Sequence, residues 1–165
     1  MTLNTLHDVY NDQLQDLHSA CIQSLEITTE LGRAASDKDL SEALIAGANG
    51  ISRGIDDLKS LCAQHDINPR AEHCKGMEGL AKEARAHVLD ADFGNDETRD
   101  AMIITQYQRM VHYALAGYGC LLAFANRLEL TDDASILQNQ LDQSYEGDRH
   151  MTQIATKGGV NKAAA

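Results

Sequence analysis

From Thr98 to Leu130 the chain keeps apolar residues at helical spacing for about nine turns, with no proline to interrupt it. Ile103, Tyr107, Met110, Ala114, Tyr118, Leu121, Ala125 and Leu128 step by three or four residues. Ile104, Val111, Leu115 and Leu122 widen that stripe on one side. A helix with so broad an apolar face must be covered by other helices, so this stretch alone predicts a bundle.

The rest of the chain agrees. Of 165 residues, 43% are apolar, a single one is proline and none is tryptophan, which suits helices better than sheet. Residues 3–35 carry Leu3, Leu6, Tyr10, Leu14, Leu17, Cys21, Leu25, Thr28 and Leu31 on one stripe. A second helix is expected from Asp39 to His65, ended by Asp66-Ile67-Asn68-Pro69 because the residue before proline is pushed out of the helical region. Its middle holds Gly47, Gly50 and Gly54, which predicts either a kink or the close approach of a neighbour. A shorter helix follows from Cys74 to Leu89. The last runs from the Leu130-Thr131-Asp132-Asp133 turn to about Thr156, with Leu137, Leu141, Ser144, Asp148, Met151 and Ala155 inward. The expectation is an all-α four-helix bundle with one additional shorter helix between the second and third long ones. It comprises a single domain over 1–157 and a flexible tail over 158–165 after Gly158-Gly159.

Charge narrows the partners. Fourteen Lys and Arg face 25 Asp and Glu, a formal charge of −11 with no basic cluster, so nucleic acid is not an expected partner. The opening Met-Thr-Leu-Asn-Thr-Leu-His-Asp lacks the basic and apolar regions of a signal peptide, and no apolar run reaches the ~20 residues of a membrane span. A cytoplasmic protein without membrane contact is expected. Cys21, Cys62, Cys74 and Cys120 show no Cys-x-x-Cys and read as packed thiols, the alternative being a Cys62 to Cys74 link. Asp8, Asp12 and Asp16 form a row expected to face solvent.

Cys74-Lys75-Gly76-Met77-Glu78-Gly79-Leu80 through Glu83, and His112-Tyr113-Ala114-Leu115-Ala116-Gly117-Tyr118-Gly119, resemble segments of the YciE/YciF family of bacterial ferritin-like proteins. Thr5-Leu6-His7-Asp8-Val9-Tyr10, Ser19-Ala20 and Leu40-Ser41-Glu42-Ala43 fall in matching register. The resemblance implies a ferritin-like bundle, a homodimer, expression under stress and, in members that keep it, a buried dinuclear metal site usually assigned to iron. Such a site needs carboxylates to neutralise two cations and imidazoles to complete their shells.

This chain departs from that pattern at the ligand positions. The first-helix glutamate corresponds to Cys21, the Glu-x-x-His of the second helix to Asn49 and Ser52, the third-helix glutamates to Val111 and Ala114, and the last-helix glutamate to Ser144. The resemblance therefore implies neither metal nor cofactor here, and a dry or water-filled bundle centre with Cys21, Asn49, Ser52 and Ser144 hydrogen-bonded among themselves or to water. His112, Tyr113, Tyr118 and Asp148 survive from the family pattern as polar candidates, His112 as a structural histidine and Asp148 as a buried carboxylate held by a tyrosine. Outside the pattern, Asp142, Glu146 and His150, and Glu83 with His87, lie at spacing that can hold a divalent cation. A non-enzymatic bundle with a structural, stress-associated or partner-binding role is expected, its protein or small-molecule partner unnamed. The rival is a divergent oxidase or peroxide-handling protein that binds iron or another divalent metal through Cys21, His112 and Asp148.

Overall fold

The computed structural model describes residues 3–156, and four of its five helices start on a residue whose side chain takes up a free backbone N–H. Helix α1 (Leu6–Ala34) opens on Thr5, whose hydroxyl accepts from the Asp8 N–H at 3.1 Å while the Asp8 carboxylate accepts from the Thr5 N–H at 2.9 Å. This reciprocal box fixes the start of α1 three residues later than the apolar pattern predicts. Leu3 is consequently exposed, and Asp8 caps the helix instead of joining a solvated row with Asp12 and Asp16.

Asp37 caps α2 (Lys38–Gln64), Cys74 caps α3 (Lys75–Ala84), and Asn95 caps α4 (Asp96–Arg127). Helix α5 covers Thr131–Thr156. The predicted third helix does extend to Leu89, but its last five residues, Arg85–Leu89, form a π-helical turn. The predicted tail over 158–165 lies outside the described residues.

Two helix ends use non-glycine residues in the left-handed region, Asp66 at φ 55° and Glu129 at φ 60°. At each, the backbone closes in the six-to-one pattern that satisfies orphan carbonyls, Ile67 N–H to Cys62 at 3.0 Å and Leu130 N–H to Ala125 at 2.9 Å. Helix α2 thus stops at its own cap, ahead of the Pro69 that the sequence suggested as its terminator.

Helices α1 and α2 pack together extensively, as do α4 and α5, while α2 and α5 meet over much less of their length. Helix α3 lies across α1 and α4. A continuous core runs through all of them, from Tyr10, Leu14 and Leu31 of α1 to Leu137 and Met151 of α5. Burying a large aliphatic side chain contributes ~1.5–3 kcal/mol, so the stripe drives assembly. Two buried carboxylates tie the turns to this core. Asp100 accepts from the Ser36 and Asp37 N–H groups at 2.9 and 2.7 Å, and Asp133 accepts from the Tyr10 hydroxyl at 2.7 Å beside His65 Nε2 at 2.6 Å. The chain has the all-α, ferritin-like bundle architecture, and among the described residues no helix is long and apolar enough to cross a membrane.

Candidate functional site

A cavity of about 510 Å³ opens into the bundle centre, lined by residues of α1, α2, α4 and α5. Its floor comes from α1 and α4: Cys21, Ser24 and Thr28 on one side, Met110, Val111 and Ala114 on the other. Tyr107 and Tyr118 of α4 also line it, and each reaches across to a glycine of α2. A Cβ on Gly54 would lie 2.7 Å from the Tyr118 hydroxyl and 3.1 Å from Gln140 Oε1, and a Cβ on Gly47 would collide with the Tyr107 hydroxyl. Gly47 and Gly54 therefore serve close approach, Gly50 does not, and the helix continues through all three.

At one end of the cavity Cys21 Sγ stands 3.6 Å from the Tyr118 hydroxyl. Burial pushes the Cys21 thiol up to about 11, a shift only partly opposed by that hydroxyl. Burial likewise holds Tyr118 well above the ordinary phenol range and pushes Tyr107 up to about 12. At neutral pH these groups keep their protons, so Cys21 is a poor nucleophile. Gln140, whose amide donates to Asp57, closes the same end, and the Ser144 hydroxyl donates back to the Gln140 carbonyl at 2.8 Å. Thr28 is 1% exposed, and its hydroxyl has no hydrogen-bond partner among the described residues.

The second helix presents a different face from the one the family pattern suggested. Gly47, Gly50 and Ile51 line the cavity, whereas Asn49 and Ser52 are exposed on the outer side. Buried Leu40, Leu44, Gly54 and Leu58 set the inward direction of α2, and at 100° per residue that direction excludes positions 49 and 52. Asn49 and Ser52 thus take no part in a central polar network, and Cys21 and Ser144 bond to Tyr118 and Gln140 instead of to each other.

Nor do the surviving polar residues converge. His112 Nε2 and Asp148 Oδ1 pair at 3.0 Å across α4 and α5, with the His112 side chain 66% exposed, so the partner of Asp148 is a surface histidine and not a tyrosine. Tyr113 points to the α1–α3–α4 junction, its hydroxyl 2.9 Å from Cys74 Sγ and 3.5 Å from Asp16 Oδ2. Only Tyr118 faces the cavity. Cys21, Cys62 and Cys74 are buried free thiols, so the Cys62 to Cys74 link is not formed, and Cys120 is exposed. Asp142 accepts from Gln138, and Glu83 holds Arg109 at 2.7 Å instead of facing His87.

The family described as a domain of unknown function, DUF892, matches residues 5–165. The chain belongs to that family. It is 30% identical over 165 residues to Protein YciF of Escherichia coli strain K12, covering 99% of this chain and 98% of the other. The DUF892 fold is likewise similar to the crystal structure of the E. coli stress protein YciF, with a TM-score of 0.87, 28% identity and coverage of 98% and 99% of the two chains. YcfI of Rhodopseudomonas palustris superposes with a TM-score of 0.84 at 24% identity over 90% of this chain and 94% of that one, a likeness of fold.

Within this DUF892 member the cavity offers a thiol, alcohols, phenols, glutamine amides and two arginines, and its one carboxylate, Glu146, and one imidazole, His150, are both exposed. Among the described residues no group of three or more His, Cys, Asp or Glu is arranged to hold a metal ion. These donors do not fit a pair of hard cations, which require bridging carboxylates. Sequence reasoning missed Gly47, Gly54, Thr28 and Gln140 as parts of this site. The glycine run was the available signal, since glycines inside a helix mark contacts that a side chain would block.

Proposed function

We propose that this DUF892 chain is a non-enzymatic bundle that has given up the family's dinuclear metal site and serves a structural, stress-associated or partner-binding role in the cytoplasm. The observation that carries the reading is the inner surface itself. The positions facing the cavity include Cys21, Gly47, Gly50, Val111, Ala114 and Ser144, where two cations would need acidic and imidazole ligands, and its own Glu146 and His150 are exposed at the rim. Desolvating cations without such ligands costs several kcal/mol per ion. The stress-associated part draws on similarity to a relative described as a stress protein. Buried, unpaired Cys21, Cys62 and Cys74 support a reducing compartment. A homodimer belongs to the same reading, and sedimentation equilibrium measures it directly.

The rival oxidase needs Cys21, His112 and Asp148 to act at one centre, yet Cys21 lies inside and the His112–Asp148 pair lies on the outer face. Purified protein supplied with ferrous iron should consume oxygen and peroxide no faster than iron in buffer. Consumption above that background, lost in Cys21→Ala and His112→Ala, would establish the rival instead.

A further inference from the structure

The cavity carries more information than the absence of metal ligands. Its rim includes Arg53 of α2 and Arg149 of α5, both exposed. Among the described residues neither enters an ion pair. Arg53 Nη2 lies 3.8 Å from where a Cβ on Gly50 would stand, so the guanidinium lies near the bare backbone that also lines the cavity. Glu146 on the same rim offsets one of the two arginines, which leaves the mouth net positive on a chain of formal charge −11.

Inside, the walls are mainly apolar, with the unpartnered hydroxyl of Thr28 as an interior polar feature. A buried hydroxyl without a partner is unfavourable, so the interior is configured to meet one polar atom of a guest. Its volume is within the ~300–1,000 Å³ range of small-molecule pockets.

We propose that the cavity binds an amphiphilic carboxylate whose apolar body carries one hydroxyl or carbonyl oxygen. The carboxylate meets Arg53 and Arg149 at the mouth, the body fills the space between Val111, Ala114 and Ile51, and the oxygen reaches Thr28. Guanidinium groups suit this task because they pair with carboxylate oxygens in a planar fork. The proposal rests on the reading that the bundle centre holds no metal, and the same preparation is therefore assayed for metal independently of ligand.

The test is calorimetric titration of the full chain with ω-hydroxycarboxylates of about six to twelve carbons, a range suited to a pocket of this class, against the matching plain carboxylates and diols. At least one hydroxycarboxylate should bind one per chain, at least ~10-fold more tightly than its diol, a difference of 1.4 kcal/mol or more. Arg53→Ala with Arg149→Ala should erase that preference, and Thr28→Val should erase the preference over the plain carboxylate. Gly50→Leu, which meets no close neighbour in the first atom it adds, should abolish binding while thermal unfolding shows the fold intact. Failure of the whole panel to bind, equal affinity for acid and diol, or unchanged binding in folded Gly50→Leu would overturn the proposal. So would affinity that falls as protein concentration rises, since a second copy would then cover the mouth. Metal in the preparation would defeat the metal-free reading whatever the ligands do.

Discussion

The Tyr107 hydroxyl occupies the space where a Cβ on Gly47 would stand. Glycine in a helix interior ordinarily costs ~1 kcal/mol relative to alanine, so its presence at position 47 marks a packing demand that outweighs helix propensity. Gly47→Ala should therefore destabilise the protein, by ~1–3 kcal/mol as for other overpacked cores. Gly50→Ala, with nothing nearer than Arg53 Nη2 at 3.8 Å, should stabilise it by ~0.5–1 kcal/mol. Opposite signs three residues apart, read by urea denaturation, are the expected outcome. In a Tyr107→Phe background the cost of Gly47→Ala should shrink, because the colliding oxygen is gone.

Glu129 ends α4 at φ 60° with its side chain exposed. The left-handed conformation costs an L-residue ~1–2 kcal/mol, part of which glycine gives back through its more flexible unfolded state. Glu129→Gly should raise stability by ~0.5–1 kcal/mol, visible as a higher midpoint of thermal unfolding. Glu129→Val should lower it.

Asp133 joins α5 to α1 and to the end of α2, accepting from Tyr10 and pairing with His65 while only 4% exposed. Asp133→Ala leaves the phenol and the imidazole without their shared partner in the interior, and should cost ~2–4 kcal/mol. Combining it with Tyr10→Phe should cost less than the sum of the two single changes, since both remove the same bond.

His18 is buried, and desolvation lowers its pKa from the ordinary 6.5, against a hydrogen bond to the Pro69 backbone that raises it. The native state then resists a proton that the unfolded chain accepts. Stability from this residue is complete above about 6.5 and falls with pH from there toward the lowered native value. Denaturant midpoints measured from pH 7.5 to 5 should decline for the wild type and decline less for His18→Gln.

The bundle was legible in the sequence because its evidence is periodic. Ile103, Met110, Leu121 and Ala125 repeat an inward direction many times, and local errors such as the placement of Leu3 do not change the fold. The site was less legible because it depends on rotation about one helix axis. A family pattern aligned to Asn49 and Ser52 points outward on α2, and a shift to Gly47 and Gly50 turns the same segment to the cavity. The partners of His112, Asp148 and Tyr113 lie on other helices, 36 or more positions away, a separation over which spacing along the chain carries no information. Thr28 looked like one more stripe residue; only the surrounding packing shows its hydroxyl unmatched.

Metal stoichiometry tests the central claim most directly. Protein produced in iron-supplemented cells, purified without chelators and assayed by elemental analysis with an anomalous scattering scan of its crystals, should contain far less than one metal ion per chain at the bundle centre. About two ions per chain, placed between Cys21, Gly50, Val111 and Ser144, would contradict it.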